Sequence, residues 1–269
     1  MPAMSKIAYA KINLALHVRR RRDDGYHELE TLFAFADGGD ILTAEPADRL
    51  SLEIIGPFSG GLTSGPDNLV VRAAAALQSQ GQGARLVLQK NLPIASGIGG
   101  GSADAAAALC LLSRLWAVET DLTPIAASLG ADVPACLYSK TLWGKGIGDE
   151  LKPFNGDGIS GSPVLLVNPG FACPTGPTFS AWDGIDRGAL SPEHWIDARN
   201  DLEAPAIALH PEIADVLSAL DETQPRLARM SGSGATCFAL FETEASRDAA
   251  QRQISDACAD WWTMASSIR

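Results

Sequence analysis

The stretch "NLPIASGIGGGSADAAAALCLL" places four glycines, Gly97, Gly99, Gly100 and Gly101, within five residues and then runs into alanines. Glycine permits positive φ and close backbone approach. Alanine enters a helix with no side-chain entropy to lose. A loop of this kind, ending at a helix start, presents unbonded amides to an anion, most often a phosphate. A tight turn between two elements is the alternative. No lysine follows the glycines as G-x-x-x-x-G-K-[ST] demands, and Ser102 breaks G-x-G-x-x-G, so neither of those two nucleotide loops is present. A second loop, "MSGSGAT" at 230–236, repeats the theme. It either converges on the same polyanion or is a hairpin turn.

Three further positions carry chemistry. From Ile7 to Val18 apolar residues alternate, with Ala8, Ala10, Ile12, Leu14, Leu16 and Val18 on one face. Such a strand puts Lys11 and Asn13 side by side on the other. A lysine there needs an anion or a cleft, unless the strand is a solvated edge. Asp132 lies between Gly130, a helix stop, and Pro134, which suits the first turn of a new helix; plain capping is the competing reading. His27 follows the turn signal Asp24-Gly25, where most histidines are ordinary loop residues.

The elements that must position these residues follow from pattern. A second strand continues from "DGYHELET". Asp67 or Asn68 caps a helix through Gln80, and 85–89 is a short strand. The glycine loop leads into a helix over about 102–116, with Ser102 as N-cap and Asp104 in the first turn, where the helix dipole favours it. Thr123-Pro124 opens another helix. The Gly-, Ser- and Asn-rich "FNGDGISGSP", 154–163, reads as a linker. Beyond it come the strand "VLLVN", helices over 201–209 and 211–222, strand–loop–strand in "RLARMSGSGATCFALF", a helix over 245–258 and a strand over 261–266. Without regular βαβ alternation, this mixture is α+β. No internal repeat is present.

With 269 residues the chain is long enough for two domains, divided here as 1–155 and 156–269. Its net charge of -11 argues against general nucleic-acid binding, though a local basic pocket can still take an anionic small molecule. The five cysteines are odd in number and show no C-x-x-C spacing, which fits a reducing cytoplasm and no zinc site. The apolar run at 105–118 is too short for a bilayer and holds Arg114, and the N-terminus lacks a signal-peptide pattern. A cytoplasmic protein without a membrane partner is expected.

Taken together, the motifs resemble a known family. "LPIASGIGGGSADAAAAL" is similar to the phosphate-binding signature of the GHMP kinases, P-x-x-x-G-[LI]-G-G-G-S-x-x-A-A, and "MSGSGATCFALF" is similar to their C-terminal glycine motif. "AKINLALHV", "DGYHELET", "GADVP" and "NDLE" at 200–203 narrow the resemblance to the branch that phosphorylates the 2-hydroxyl of a cytidine diphosphate-linked methylerythritol in the non-mevalonate isoprenoid pathway. The resemblance implies an N-terminal domain like ribosomal protein S5 domain 2, a ferredoxin-like C-terminal domain and an active site in the cleft between them. It implies ATP and Mg²⁺ as cofactors, the metal bridging the nucleotide phosphates through ligands that stay unassigned, and a monomer or weak homodimer. Another GHMP kinase, acting on mevalonate, phosphomevalonate, homoserine or a sugar, would share the glycine loops but leaves "GYHELET" and "KINL" unexplained. A non-enzymatic nucleotide-binding relative would not need both Lys11 and Asp132.

The same resemblance assigns roles. Lys11 would contact the acceptor hydroxyl and the catalytic carboxylate, and Asp132 would act as the base or orient the nucleophile. Asn13 would bind substrate. His27 would hydrogen-bond cytosine, with Tyr26 and Phe179 stacking on the base. The ATP phosphates would be wrapped by Pro93, Ile94, Ala95, Ser96, Gly97, Ile98, Gly99, Gly100, Gly101, Ser102 and Ala103, and Asn68 would approach the nucleotide. Ala103 departs from the family, which commonly has a second serine there, so a second hydroxyl contact is in doubt. The run Arg19, Arg20, Arg21 and Arg22 reads as a solvated hairpin tip, with diphosphate binding as the minority reading.

Overall fold

The computed structural model describes residues 3–78, 82–156 and 158–269. Two long strands open the chain, β1 (Met4–Arg21) and β2 (His27–Pro46), followed by β3 (Ser51–Ile55), α1 (Leu69–Leu77) and β4 (Ala84–Gln89). Next come α2 (Gly100–Leu115), α3 (Thr123–Leu129), α4 (Val133–Tyr138), β5 (Leu142–Lys145) and β6 (Glu150–Pro153). The remainder is β7 (Pro163–Asn168), α5 (Thr175–Ser180), α6 (Glu203–Leu209), α7 (Glu212–Asp221), β8 (Leu227–Met230), β9 (Cys237–Leu240), α8 (Glu244–Ala257) and β10 (Trp262–Ser267). The α+β expectation holds. The helix predicted through Gln80 ends at Leu77, and Ser79 and Gln80 lie outside the described residues.

The chain divides into two compact units and passes repeatedly from one to the other. The first comprises the residues up to Ala10 together with Gly38–Ile94 and Gly99–Ser139. In it the far half of β2 runs antiparallel to β4, from Ile41 opposite Gln89 to Pro46 opposite Ala84, and β3 runs parallel to β4. Helices α1 to α4 complete its core. The alanine run of α2 is buried on nearly every side, from Ala103 through Leu109, which identifies it as a central helix. Its small side chains let α1 and α4 approach closely.

The second unit comprises Lys11–Asp37, Ala95–Ile98 and Lys140–Arg269. Here the near half of β2 pairs antiparallel with β5, and β5 with β6. A separate antiparallel sheet runs in the order β10-β7-β9-β8, and Leu165, Val167, Cys237, Ala239 and Met230 of its strands share a core with Ile213, Val216 and Leu220 of α7 and Ala250 and Ile254 of α8. The alternation in β1 predicts one solvated face. Instead, every residue from Ala10 to Val18 is buried, so Lys11 and Asn13 lie inside the protein. The stretch predicted as a linker is folded into this unit. Ile159 is buried and the Gly161 amide bonds the Ile268 carbonyl at 2.7 Å, while Asp157 lies outside the described residues.

Candidate active site

In the second unit a polar cluster forms around β1. Lys11 is 4% exposed, and its Nζ donates to Asn13 Oδ1 at 2.7 Å while lying 5.5 Å from the Phe33 ring centre. The Asn13 amide nitrogen donates to Thr31 Oγ1, which donates on to the Ala15 carbonyl, each at 2.7 Å. These bonds fix the asparagine orientation, so its oxygen is left for the lysine. The backbone joins the same cluster: Lys11 N bonds the Ile98 carbonyl, and Asn13 N bonds Ser231 Oγ, which donates to the Gly97 carbonyl.

The two glycine–serine loops therefore meet each other. Within residues 95–98 and 231–236, Thr236 N bonds the Ser96 carbonyl at 3.1 Å. A Cβ on Gly97 would sit 2.4 Å from the Ser231 carbonyl oxygen, and one on Gly232 would sit 2.8 Å from that of Gly97. Both glycines also have positive φ, 79° and 57°. At these positions glycine is demanded by loop-on-loop packing, a reason the repeated sequence theme does not reveal. Ala95, at φ 49°, occupies the left-handed region without being glycine, and its carbonyl accepts the Cys173 amide.

In the first unit the loop ends at the N-terminus of α2. The cap is Gly99 in the left-handed conformation, not Ser102, and the helix starts at Gly100. Ser102 is already the third helical residue, because Gly99 makes the chain reversal that a side-chain cap would otherwise stabilise. The first intrahelical amide bond is Ala103 N to the Gly99 carbonyl, so the amides of Gly100, Gly101 and Ser102 precede the bonded ladder. Ala103 itself is buried, as are Pro93, Ser96 and Ile98, whereas Ala95 and Gly101 are exposed and Ile94 is half-buried. Asp104 is not a first-turn residue facing solvent. It is buried with Lys90 and Asp40, Lys90 Nζ lying 2.8 Å from Asp104 and closer still to Asp40. Asp40 also accepts the amides of Asn91 and Leu92, which lead into the loop. Two buried carboxylates around one ammonium leave an uncompensated negative charge, so burial pushes the Asp104 carboxyl up to about 7 against the opposing pull of Lys90.

Asn68 caps α1: its Oδ1 accepts the Val70 amide at 2.9 Å and its Nδ2 donates to the Thr63 carbonyl. Asp132 is the N-cap residue just before α4 and makes no side-chain bond to the α4 amides. In the second unit His27 packs on Phe179, ring centres 5.0 Å apart, and meets Trp182 edge-on at 5.7 Å. Tyr26 is 57% exposed. Burial, and then the Arg21 cation, holds the His27 imidazole below its ordinary pKa. Its Nε2 and the Trp182 indole nitrogen are buried without a hydrogen-bond partner.

Residues 200–203 have a role that their motif alone does not disclose. Asn200 Nδ2 donates to both the Met230 and Gly232 carbonyls, and Glu203 accepts the Met230 amide. Asp201 accepts the Val18 amide. This segment thus clamps the second glycine loop and β1 together. The proximity of Trp182 to His27 has no local sequence signal.

Sequence models of the GHMP kinases match the chain twice: the N terminal domain at residues 68–140 and the C terminal domain at 188–260. The chain belongs to the GHMP kinases. This GHMP kinase is 54% identical to the 4-diphosphocytidyl-2-C-methyl-D-erythritol kinase of Rhizorhabdus wittichii, over 98% of this chain and 94% of that one. It is 52% identical to the protein of that name from Novosphingobium aromaticivorans, over 99% and 93% of the two chains. A crystal structure of 4-(cytidine 5'-diphospho)-2C-methyl-D-erythritol kinase superposes with a TM-score of 0.85 at 36% identity, covering 98% of this chain and 99% of that one. A homoserine kinase from Cytophaga hutchinsonii shares the fold, with a TM-score of 0.74 at 18% identity over 100% and 95% of the two chains. Among the described residues no helix is long and apolar enough to cross a membrane.

Proposed function

We propose that this GHMP kinase transfers the γ-phosphoryl group of ATP to the 2-hydroxyl of 4-diphosphocytidyl-2-C-methyl-D-erythritol, in the non-mevalonate route to isoprenoid precursors. The observation that carries the reading is the 54% identity, over nearly the whole chain, to a relative of that name. The family matches fall on either side of position 155, which supports an ATP-binding N-terminal domain over 1–155 and a C-terminal domain over 156–269.

In this reading the bond between the γ-phosphorus and the bridging oxygen of ATP breaks, a bond to the acceptor oxygen forms, and ADP departs. Asp132 takes or orients the hydroxyl proton, and Lys11, held by Asn13, offers its ammonium to the acceptor oxygen. Phosphoryl transfer has a loose transition state, so fixing the nucleophile contributes more than early deprotonation. The amides at the start of α2 face phosphate oxygens, helped by the helix dipole. Asn68 supports that site by capping the neighbouring α1.

Among the described residues no group of three or more His, Cys, Asp or Glu side chains could hold a metal ion. Mg²⁺ would bind through the nucleotide phosphates and water, with one or two protein oxygens, and would neutralise phosphate charge. The ring pair of His27 and Phe179 is suited to a pyrimidine, with the exposed Tyr26 as the second stacking ring in this reading. The reaction would occur in the cytoplasm, and the chain would act as a monomer or weak homodimer. Among the described residues the exposed large apolar side chains, Ile7, Tyr26, Ile55, Tyr138, Ile185 and Leu209, lie on separate elements and loops.

The test is ADP release with the cytidylyl substrate, with methylerythritol phosphate lacking the cytidine half, and with mevalonate or homoserine. Turnover confined to the cytidylyl substrate is expected. Equal turnover of the truncated acceptor, or preference for mevalonate or homoserine, overturns the reading.

A further inference from the structure

Arg21, at the end of β1, reaches across to the segment after α5, where one of its terminal nitrogens donates to the Ser180 carbonyl at 2.9 Å and the Trp182 carbonyl at 2.7 Å. The Ser180 carbonyl directly follows Phe179 and the Trp182 carbonyl belongs to Trp182, the two residues whose rings touch His27. We infer that Arg21 is a positioning residue for base recognition, holding Phe179 and Trp182 against the His27 ring. The inference rests on the reading of this recess as the cytosine site.

The geometry gives Arg21 two separable effects. Its guanidinium presents donors in a fixed plane, so two carbonyls two residues apart are held in one orientation. Both bonds come from one terminal nitrogen whose two hydrogens are fixed in that plane, whereas a lysine ammonium rotates freely about a shorter stem. Its charge also acts on His27, whose imidazole is kept neutral first by burial and second by Arg21. A neutral imidazole has one donor and one acceptor, the pattern needed to read a base edge; the imidazolium has two donors. The two buried atoms without partners, His27 Nε2 and Trp182 Nε1, mark this recess as one that a polar ligand would complete.

Other charges around the ring are engaged elsewhere. Arg20 pairs with Glu28, Arg19 and Lys145 with Glu30, Arg22 with Asp24, and Arg187 with Asp183 beside Trp182. Helix α5 carries no titratable side chain. Arg21 is therefore the cation whose removal changes His27 most.

The experiment compares steady-state kinetics of the parent, Arg21→Met and Arg21→Lys over pH 5.5–8.5, varying the cytidylyl substrate and ATP separately. Arg21→Met should raise KM for the cytidylyl substrate about tenfold, the scale of one lost positioning contact to a charged group. It should leave the KM for ATP unchanged. Without the cation the His27 pKa rises, so the acidic limb of kcat/KM should move to higher pH. Arg21→Lys keeps the charge but not the reach or the fixed plane of the donor, so it should raise KM while leaving that limb in place. An Arg21→Met enzyme with a KM within twofold of the parent and an unmoved acidic limb overturns the inference, as does a parallel rise in the KM for ATP. His27→Ala, run alongside, separates the two levels. If it leaves the KM of the cytidylyl substrate unchanged, the cytosine site itself is misplaced. If it raises that KM while Arg21→Met does not, only the role of Arg21 fails.

Discussion

Asp132 stands at the N-cap of α4, and the proposed function gives its carboxylate the proton of the acceptor hydroxyl. Asp132→Asn should therefore lower kcat by about 10²–10⁴-fold, the usual loss for one positioned acid–base group, with ATP affinity near normal. Rapid-quench turnover together with nucleotide titration measures both, and turnover within a few-fold of the parent would remove Asp132 from the chemistry. Asp104 is the opposite case, a carboxyl that burial keeps protonated up to about pH 7, against an ordinary value of 3.8. Between those two values the native state binds a proton that the unfolded chain has released, so stability should fall as pH rises from about 4 to about 7. Lys90 is held above its ordinary pKa, burial opposing and Asp104 and Asp40 prevailing, and its window lies above pH 10.5. Urea unfolding across pH 4.5–8 should show the downward slope in the parent and a flatter profile in Asp104→Asn. An identical slope in both would place the titrating group elsewhere.

At the scale of elements, adjacent glycines of one loop serve different ends. A Cβ at Gly101 would meet only Leu69 at an ordinary 3.5 Å, whereas one at Gly100 would come within 3.0 Å of Lys90 Nζ. Gly101→Val should thus leave the fold intact and put a side chain among the amides proposed to face phosphate. Calorimetry should find ATP affinity reduced at least tenfold in a folded protein; unchanged affinity would move the phosphate site away from the α2 start. A change at Gly100 would instead disturb the buried ion cluster, so it cannot separate binding from folding. Gly97→Ala acts on stability, since its Cβ would overlap the Ser231 and Gly234 carbonyls at 2.4 and 2.7 Å. A loss of roughly 2–4 kcal/mol in urea unfolding is expected from overpacking and the unfavourable φ together.

For the molecule as a whole, the order in which the chain visits its two units sets what can fold alone. The second unit needs residues from β1: Leu16 N bonds the Arg199 carbonyl, Asp201 N bonds the Leu16 carbonyl, and Asp201 Oδ2 accepts the Val18 amide. The fragment 140–269 lacks these partners and the near half of β2. It should show no cooperative thermal transition by circular dichroism, and a sharp transition would mean that β1 is dispensable to that unit. The acceptor is also large relative to its reacting hydroxyl. Binding energy from a remote base can position that hydroxyl, so removing the cytidine half should reduce kcat as well as raise KM.

Much of this was legible in the sequence because it is local. Period-two alternation marks β1, Thr123-Pro124 and Gly130 bound α3, and Asn68 caps α1, since strands, caps and stops depend on neighbours a few residues away. The ordered motifs were enough to place the chain among the GHMP kinases. What the sequence could not decide depends on partners distant along the chain. The burial of the Lys11 face is such a case, and the seating of Gly97 on Ser231, the pairing of Asp104 with Lys90 and the meeting of Trp182 with His27 join residues 14 to 155 positions apart. No periodicity encodes such pairs, because only tertiary packing determines which charge or carbonyl a side chain meets, and therefore whether a glycine serves a turn, a ligand or a neighbouring loop.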